Sequence, residues 1–198
     1  GSHTRFEGWF LRSHLSSQES QSLRPDIIRF IVSVIHPPLE IIQSTVMPRW
    51  AVIGWILPSC TNQVTSSNVK LALFYDWIFF NTPSDSIMHL EPAVLVMLHS
   101  MKTHPQVTAT LLDFLTRLVN SFHPSCSDQV LLHVTTAFKH VQDRGLVTRL
   151  SHLLFSSYLS SDLRSSVIET FETLYLMENP HVQQVSFVEE SFPSPAVP

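Results

Sequence analysis

The run from Asn68 to Phe80 reads NVKLALFYDWIFF, and it follows Pro48 to Leu57, PRWAVIGWIL. At a 3.6-residue period each run is apolar on nearly every face. In the second, Leu71, Phe74, Tyr75, Ile78 and Phe79 form one stripe, and Leu73, Trp77 and Phe80 another. Only Ala72 and Asp76 leave a narrow strip without bulky carbon. A helix that is apolar all round has to be covered on all sides. At roughly 10 to 13 residues each run is too short to span a bilayer, which takes ~20. These segments therefore predict central helices inside a helical stack, and they exclude any fold that cannot surround them.

Helix signals recur on either side. Arg5 to Leu15 predicts a first helix. Ser22 or Arg24 to Ile35 predicts a second, with Pro25 in its first turn and His36-Pro37-Pro38 stopping it. A short turn of helix over Leu39 to Ser44 leads to Pro48, and Pro58 closes the helix that follows. Ser67 or Asn68 can cap the aromatic helix, which Asn81-Thr82-Pro83-Ser84 ends. Ser86 or His89 opens a helix to Lys102. Pro105 opens the clearest amphipathic one, with Val107, Leu111, Phe114, Leu115, Leu118 and Phe122 on one face. Val130, Val134, Ala137, Phe138 and Val141 define the next, closed near Gly145. Leu146 to Leu154, and then Leu163, Val167, Phe171 and Leu174, complete the set.

Helix starts come about every 20 residues, two per ~40, which is the spacing of HEAT or armadillo-like repeats. The expected fold is all-α, a HEAT/armadillo-like antiparallel helical repeat stack of eight or nine helices. Self-similarity between units is poor, and an irregular multi-helix bundle is the alternative. No segment alternates at period two for long enough to predict a sheet.

The chain has 198 residues, and only 14% are charged, against ~25% in average domains. Gly1-Ser2-His3 reads as an expression scar, residues 4–177 as a helical domain cut from a longer module, and residues 178–198 as a linker or tail ending SFPSPAVP. Within that tail Val182 to Val188 is mildly apolar and suited to docking on the body or on a partner. Lys and Arg number 12 against 16 Asp and Glu. Arg144 and Arg149 are the nearest thing to a basic patch, so direct nucleic-acid binding, which draws on many cations near phosphates, is not expected. Two distant cysteines, Cys60 and Cys126, exclude a disulfide framework or zinc ribbon and fit a nuclear or cytosolic setting. No signal peptide or apolar run of ~20 residues is present.

Chemistry-bearing motifs are sparse. The eleven histidines never form a convergent pattern such as HExxH. His36, His104 and His123 each precede a proline at a helix boundary. There is no GxSxG, no phosphate loop and no Walker motif, so no catalytic, metal or cofactor site is predicted. Asp76 is the outstanding polar residue, because a buried carboxylate needs a partner. No nucleophile, histidine or second carboxylate sits beside it at helical spacing, so its expected role is structural, with Arg49 or Lys70 as partner. Asp113 and Arg117 suit an ordinary surface pair. Gly54 inside a helix predicts a close helix approach. Met88, Met97 and Met101 suit core filling.

PRWAVIGW, NVKLALFYDWIFF, and SIMHLEPAVLVMLHSMKTHPQVTATLLDFL from Ser86 to Leu115 resemble the N-terminal half of the Integrator complex subunit 3 family, also known as the large scaffold of the single-stranded-DNA sensor complex SOSS. The resemblance is close from about Leu23 to Phe122, weaker over Val130 to Leu174, and poor outside Leu23 to Leu176. It implies a non-enzymatic nuclear scaffold, part of a longer module. It implies as partners an OB-fold single-stranded-DNA-binding protein, the small third SOSS protein and other Integrator subunits, with roles in the DNA damage response and in processing RNA polymerase II transcripts, including small nuclear RNA. Arg49, Lys70, Asp76 and Lys102 are polar positions inside the best-matching motifs, and Trp9 and Phe10 are aromatic residues outside the main core. Arg49, Lys70, Lys102, Trp9 and Phe10 are the candidate partner contacts; Asp76 and Arg49 are candidate structural groups. The competing reading is direct single-stranded nucleic-acid binding through the aromatics. Such sites interleave exposed aromatics with Lys and Arg, whereas these aromatics lie in runs with almost no basic neighbours.

Overall fold

Local chemistry sets the helix ends in the structure, a computed structural model that describes residues 2–37 and 47–181. The α-helices are α1 (Ser2–His14), α2 (Leu23–Ser33), α3 (Arg49–Ile56), α4 (Gln63–Phe74), α5 (Glu91–Thr103), α6 (Pro105–Ser121), α7 (Ser127–Asp143), α8 (Ser151–Leu154), α9 (Ser161–Thr170) and α10 (Glu172–Glu178). Short 3₁₀ turns lie at Glu19–Gln21, Leu57–Ser59, Tyr75–Trp77, Ile87–His89 and Pro124–Cys126. No strand occurs among the described residues, so the all-α expectation holds. The described residues contain ten α-helices rather than eight or nine. One added break falls at Phe171, where φ −112° and ψ 39° leave helical space between α9 and α10. The short helix expected over Leu39 to Ser44 lies outside the described residues.

Caps explain the largest boundary difference. The Asn62 side chain accepts a hydrogen bond from the Thr65 amide at 2.8 Å, so α4 begins well before the expected Ser67 or Asn68. It also ends early, at Phe74, and the chain continues as a 3₁₀ turn over Tyr75–Trp77. The tighter winding splits the aromatic run into two directions. Phe74, Trp77, Ile78 and Phe80 are buried, while Tyr75 is 49% and Phe79 62% exposed. The expected all-round burial of this run is thus corrected at Tyr75 and Phe79. At the end of α7, Gly145 takes φ 75°. Its amide donates to the Gln142 carbonyl at 2.9 Å and the Leu146 amide to the Val141 carbonyl at 3.1 Å, a glycine-ended helix stop that other residues reach only with strain.

Packing runs along the chain. Helix α2 lies on α4, α3 on α5, α5 on α6, and α6 on both α7 and α9. One apolar core joins them, from Leu15 to Leu174. Its centre is a line of aromatics. Trp77, fully buried, meets Phe74 edge-on at 5.5 Å and Phe138 at 4.9 Å, and Phe138 meets Phe171 at 5.7 Å. Each such pair contributes roughly 0.5–1.5 kcal/mol beyond the area it buries.

Gly54 does not mark the expected close approach. A Cβ built there meets no atom within 4 Å. The glycine therefore costs helix propensity with no packing in return. Gly54→Ala is expected to stabilise the chain by ~0.5–1 kcal/mol, read as a rise of about 1–4 °C in thermal midpoint. A lower midpoint would show that the space beside α3 is filled.

Candidate functional site

The polar residues singled out by sequence separate into an interior set and a surface set. Arg49 belongs to the interior. It is buried at the start of α3. Its Nη1 donates to the Ile35 carbonyl at 2.7 Å and the Ile31 carbonyl at 3.4 Å. Its Nη2 donates to the Met88 carbonyl at 3.2 Å and to the Glu91 carboxylate. Burial lowers the Arg49 pKa, and the charge and hydrogen bond of Glu91 oppose that shift. One guanidinium thereby joins the end of α2, the start of α3 and the entry to α5.

Asp76 is half-buried and ion-paired, and its partner is Arg29. Arg29 Nη1 lies 2.8 Å from Asp76 Oδ2 and donates to the Ala72 carbonyl at 3.2 Å. Of the partners expected from sequence, Arg49 is paired with Glu91 and Lys70 lines the groove between α4 and α6. The cause is the packing of α2 on α4, which brings position 29 against the end of the aromatic run. The same guanidinium stands 5.0 Å from the centre of the Tyr75 ring. A further buried cation, Arg24, donates to the Leu15 carbonyl at 2.8 Å, to Ser59 Oγ at 3.0 Å and to Ser20 Oγ at 3.2 Å.

Glu178, the first residue of the expected tail, ends α10 and is anchored in the helical body. It accepts from Gln142 Nε2 at 2.8 Å, the Leu150 amide at 3.1 Å, Arg149 Nε at 3.3 Å and the Ser151 amide at 3.4 Å. Two of these donors are amides at the start of α8, so a carboxylate caps that helix. Burial pushes the Glu178 carboxyl up, but hydrogen bonds from Ser151, Gln142 and Leu150 outweigh it and hold the group below its ordinary value. Sequence reasoning missed Arg24, Arg29, Glu91 and Glu178 as structural groups. Arg29 and Glu91 carried one signal, a charge placed among apolar neighbours; Arg24 and Glu178 carried none.

The surface set does not converge. Lys70 lines a groove of about 370 Å³ between α4 and α6, with Asp113, Phe114, Arg117 and Phe122. A second groove, about 480 Å³, runs between α2 and α4 past Pro25, Arg29 and Tyr75. Both grooves include Asn68 and Leu71, so they flank one outward ridge of α4. Exposed Val64 and Tyr75 stand along that ridge. Lys102, exposed at the end of α5, lines a third groove of about 560 Å³ with Met101, Arg149, His152, Phe155 and Tyr158. Trp9 is exposed on α1 and packs 5.3 Å from Phe6 and 5.2 Å from His14; Phe10 is half-buried against the core, 5.9 Å from His14. Phe6 in turn reaches Trp55 at 6.2 Å.

Reactive groups are scattered too. Among the described residues no three His, Cys, Asp or Glu side chains come together to hold a metal ion. Cys60 and Cys126 are free and half-buried. Burial raises the Cys60 thiol, with Arg24 and Lys70 opposing it, which disfavours the nucleophilic thiolate. His99 stacks flat on Trp50 at 4.0 Å.

Comparison with known proteins adds a family. A family model described as Integrator complex subunit 3 N-terminal matches residues 1–169. Integrator complex subunit 3 of Mus musculus is 45% identical over 183 residues, covering 92% of this chain and 18% of that protein. The Danio rerio protein of the same name is 46% identical over 193 residues, 98% of this chain and 19% of that protein. The Anopheles gambiae homologue is 44% identical over 179 residues, 90% and 16% respectively. The chain thus spans less than a fifth of the length of these relatives.

Two stability tests follow from the ion pairs. Glu91→Ala leaves the buried Arg49 without its counter-charge and is expected to cost about 3 kcal/mol, a drop of roughly 6–12 °C in thermal midpoint. Asp113→Ala breaks the exposed Arg117 pair and is expected to cost at most ~0.5 kcal/mol. Equal effects would remove Arg49 from its proposed central place. For Glu178, a carboxyl held below its ordinary value contributes stability that is complete above about pH 4.3 and is lost as pH falls through the lower folded value. In chemical denaturation from pH 7 to pH 3, the stability gap between the parent chain and Glu178→Gln should therefore close at acid pH. A constant gap would show that the carboxylate's charge is not what the α8 amides hold.

Proposed function

The chain belongs to the Integrator complex subunit 3 family through its N-terminal region, and from that premise we propose that it is a non-enzymatic scaffold segment working in the nucleus. In this reading it takes part in the Integrator complex, which processes RNA polymerase II transcripts, by contacting other Integrator subunits. It also assembles the SOSS sensor complex by holding an OB-fold single-stranded-DNA-binding protein and the small third SOSS protein. The observation that carries the scaffold reading is the use of the polar side chains. Arg24, Arg29, Arg49, Asp76, Glu91 and Glu178 all bind other parts of the same helical body. The outward ridge of α4 and the aromatic cluster on α1 carry apolar area instead, the kind of surface that marks protein contacts. Lys70, Lys102, Trp9 and Phe10 are the accessible contact candidates, and Arg49 acts indirectly by fixing α3 and α5. The helix pairing of α3 with α5 and α5 with α6 suits a HEAT-like stack as the scaffold's architecture. No helix among the described residues is long and apolar enough to cross a membrane.

DNA contact is assigned to the OB-fold partner, whose fold type supplies stacking and basic residues. The competing reading, direct single-stranded-DNA binding, needs a strip of free cations along which a backbone could run. Here Arg24, Arg29 and Arg49 are tied to interior oxygens and Arg117 to Asp113. The deciding experiment is a pull-down of the chain against the OB-fold protein, the small SOSS protein and other Integrator subunits, with a labelled-oligonucleotide salt titration beside it. Expected are capture of at least one of these proteins, no submicromolar oligonucleotide binding by the chain alone at physiological salt, and binding once the OB-fold protein is added. Tight binding by the chain alone that falls steeply with salt would overturn the division of labour.

A further inference from the structure

The three grooves differ in how their charge is balanced. Between α4 and α6, Lys70 and Arg117 share the groove with Asp113, whose carboxylate is bonded to Arg117. Between α2 and α4, Arg29 shares the groove with Asp26 and is paired with Asp76. The third groove, between the end of α5 and α8, is lined by Lys102, Arg149 and His152; its one carboxylate neighbour is Glu178, which engages Arg149 from outside the lining and leaves Lys102 without a carboxylate in the groove. Its apolar wall includes Met101, Phe155 and Tyr158. In a chain of net charge −4, this is the groove suited to an acidic segment that also carries apolar side chains.

Such a segment leaves the helical body at this place. Glu178 accepts from Arg149 Nε and from the Ser151 amide, and both residues line the groove. The described chain stops three residues later, at His181. The sequence beyond it reads VQQVSFVEESFPSPAVP, with Val185, Phe187, Val188 and Phe192 set around Glu189-Glu190 and no Lys or Arg. We propose that the groove between α5 and α8 is the docking site of this chain's own stretch Val185–Phe192. Phe187 and Phe192 supply the apolar contacts, and Glu189-Glu190 meets Lys102 and Arg149. The Arg149 guanidinium has five donors, of which Glu178 engages Nε, so it can hold a second carboxylate. From His181 to Val185 the chain spans up to ~13 Å at ~3.3 Å per residue, enough to pass from the Glu178 anchor into the groove. Tethering gives an effective concentration on the order of millimolar, so weak pairs suffice for occupancy.

The test uses the full chain with photoreactive benzoylphenylalanine in place of the exposed Tyr158. Illumination is expected to give a crosslink within 185–192 at monomer mass, located by peptide mass spectrometry. The double change Glu189→Lys with Glu190→Lys should lower its yield about fivefold, in keeping with the size of exposed charge pairs, and Lys102→Glu added to it should restore the yield. All these positions lie outside the core, so circular dichroism should be unchanged in every variant. Absence of the crosslink, its appearance only at dimer mass, or a yield indifferent to the charge reversals would overturn the proposal.

Discussion

A buried guanidinium organises the N-terminal half of this chain. Arg49 reaches two carbonyls at the end of α2, the Met88 carbonyl and the Glu91 carboxylate. Apolar burial drives these helices together, but it has no direction. A buried cation does: it is stable only where particular oxygens converge on it. Arg24 and Arg29 extend the same logic along α2. The first holds the Leu15 carbonyl and Ser59, and the second holds the end of α4 through Ala72 and Asp76. Helix α2 is thereby fixed near its start, along its length and at its end by three arginines that bond to three different elements.

The C-terminal half is held by other means. The aromatic line from Trp77 through Phe138 to Phe171 ties α7 and α9 to the end of the aromatic run. The His133 ring nitrogen lies 2.9 Å from the Phe80 carbonyl, three residues past the 3₁₀ turn in that run. Asn120 donates to Thr170 between α6 and α9 at 2.9 Å. Glu178 closes the far end by capping α8 with its side chain. Where the first half sets cations among carbonyls, the second sets a carboxylate among amides, and both remedies satisfy helix termini that packing has buried.

Helix existence was readable in the sequence because burial imposes a period. The stripe Val107, Leu111, Phe114, Leu115 and Leu118 became α6, while Phe122, expected on the same face, lies just past its end and is exposed; the Gly145 stop and Pro105 start fell where their backbone preferences put them. What escaped was set by contacts between distant elements. Asp76 could be recognised as a group needing a partner, but choosing Arg29 over Arg49 required knowing that α2 packs on α4. The Asn62 cap has no signal in the apolar pattern, because the aromatic residues begin later and propensity gives no reason to extend a helix upstream. The α-helical period puts Tyr75 and Phe79 on a buried stripe, but the segment tightens to 3₁₀ and turns both outward. Among the candidate contacts, composition could not separate Arg49, which is enclosed, from Lys70 and Lys102, which border grooves. Only the packing of α3 on α5 makes that distinction.

The placement of charge also bears on what the surface can recognise. Of the twelve Lys and Arg, five are bound to oxygens of the same chain: Arg24, Arg29, Arg49, Arg117 and Arg149. A cation so held adds little to attraction of a phosphate backbone, because its field is already cancelled at short range. Besides the other seven Lys and Arg, the outward face carries apolar area: Val64 on α4, Tyr75 in the 3₁₀ turn after it, and Phe6 and Trp9 on α1. Aromatic anchors of this kind derive binding energy from desolvation in a fitted pocket rather than from long-range charge. Charge tied to internal geometry, with aromatics left outside, is what supports the proposed reading of this segment as one that other proteins recognise, because exposed apolar area of this kind marks protein contacts.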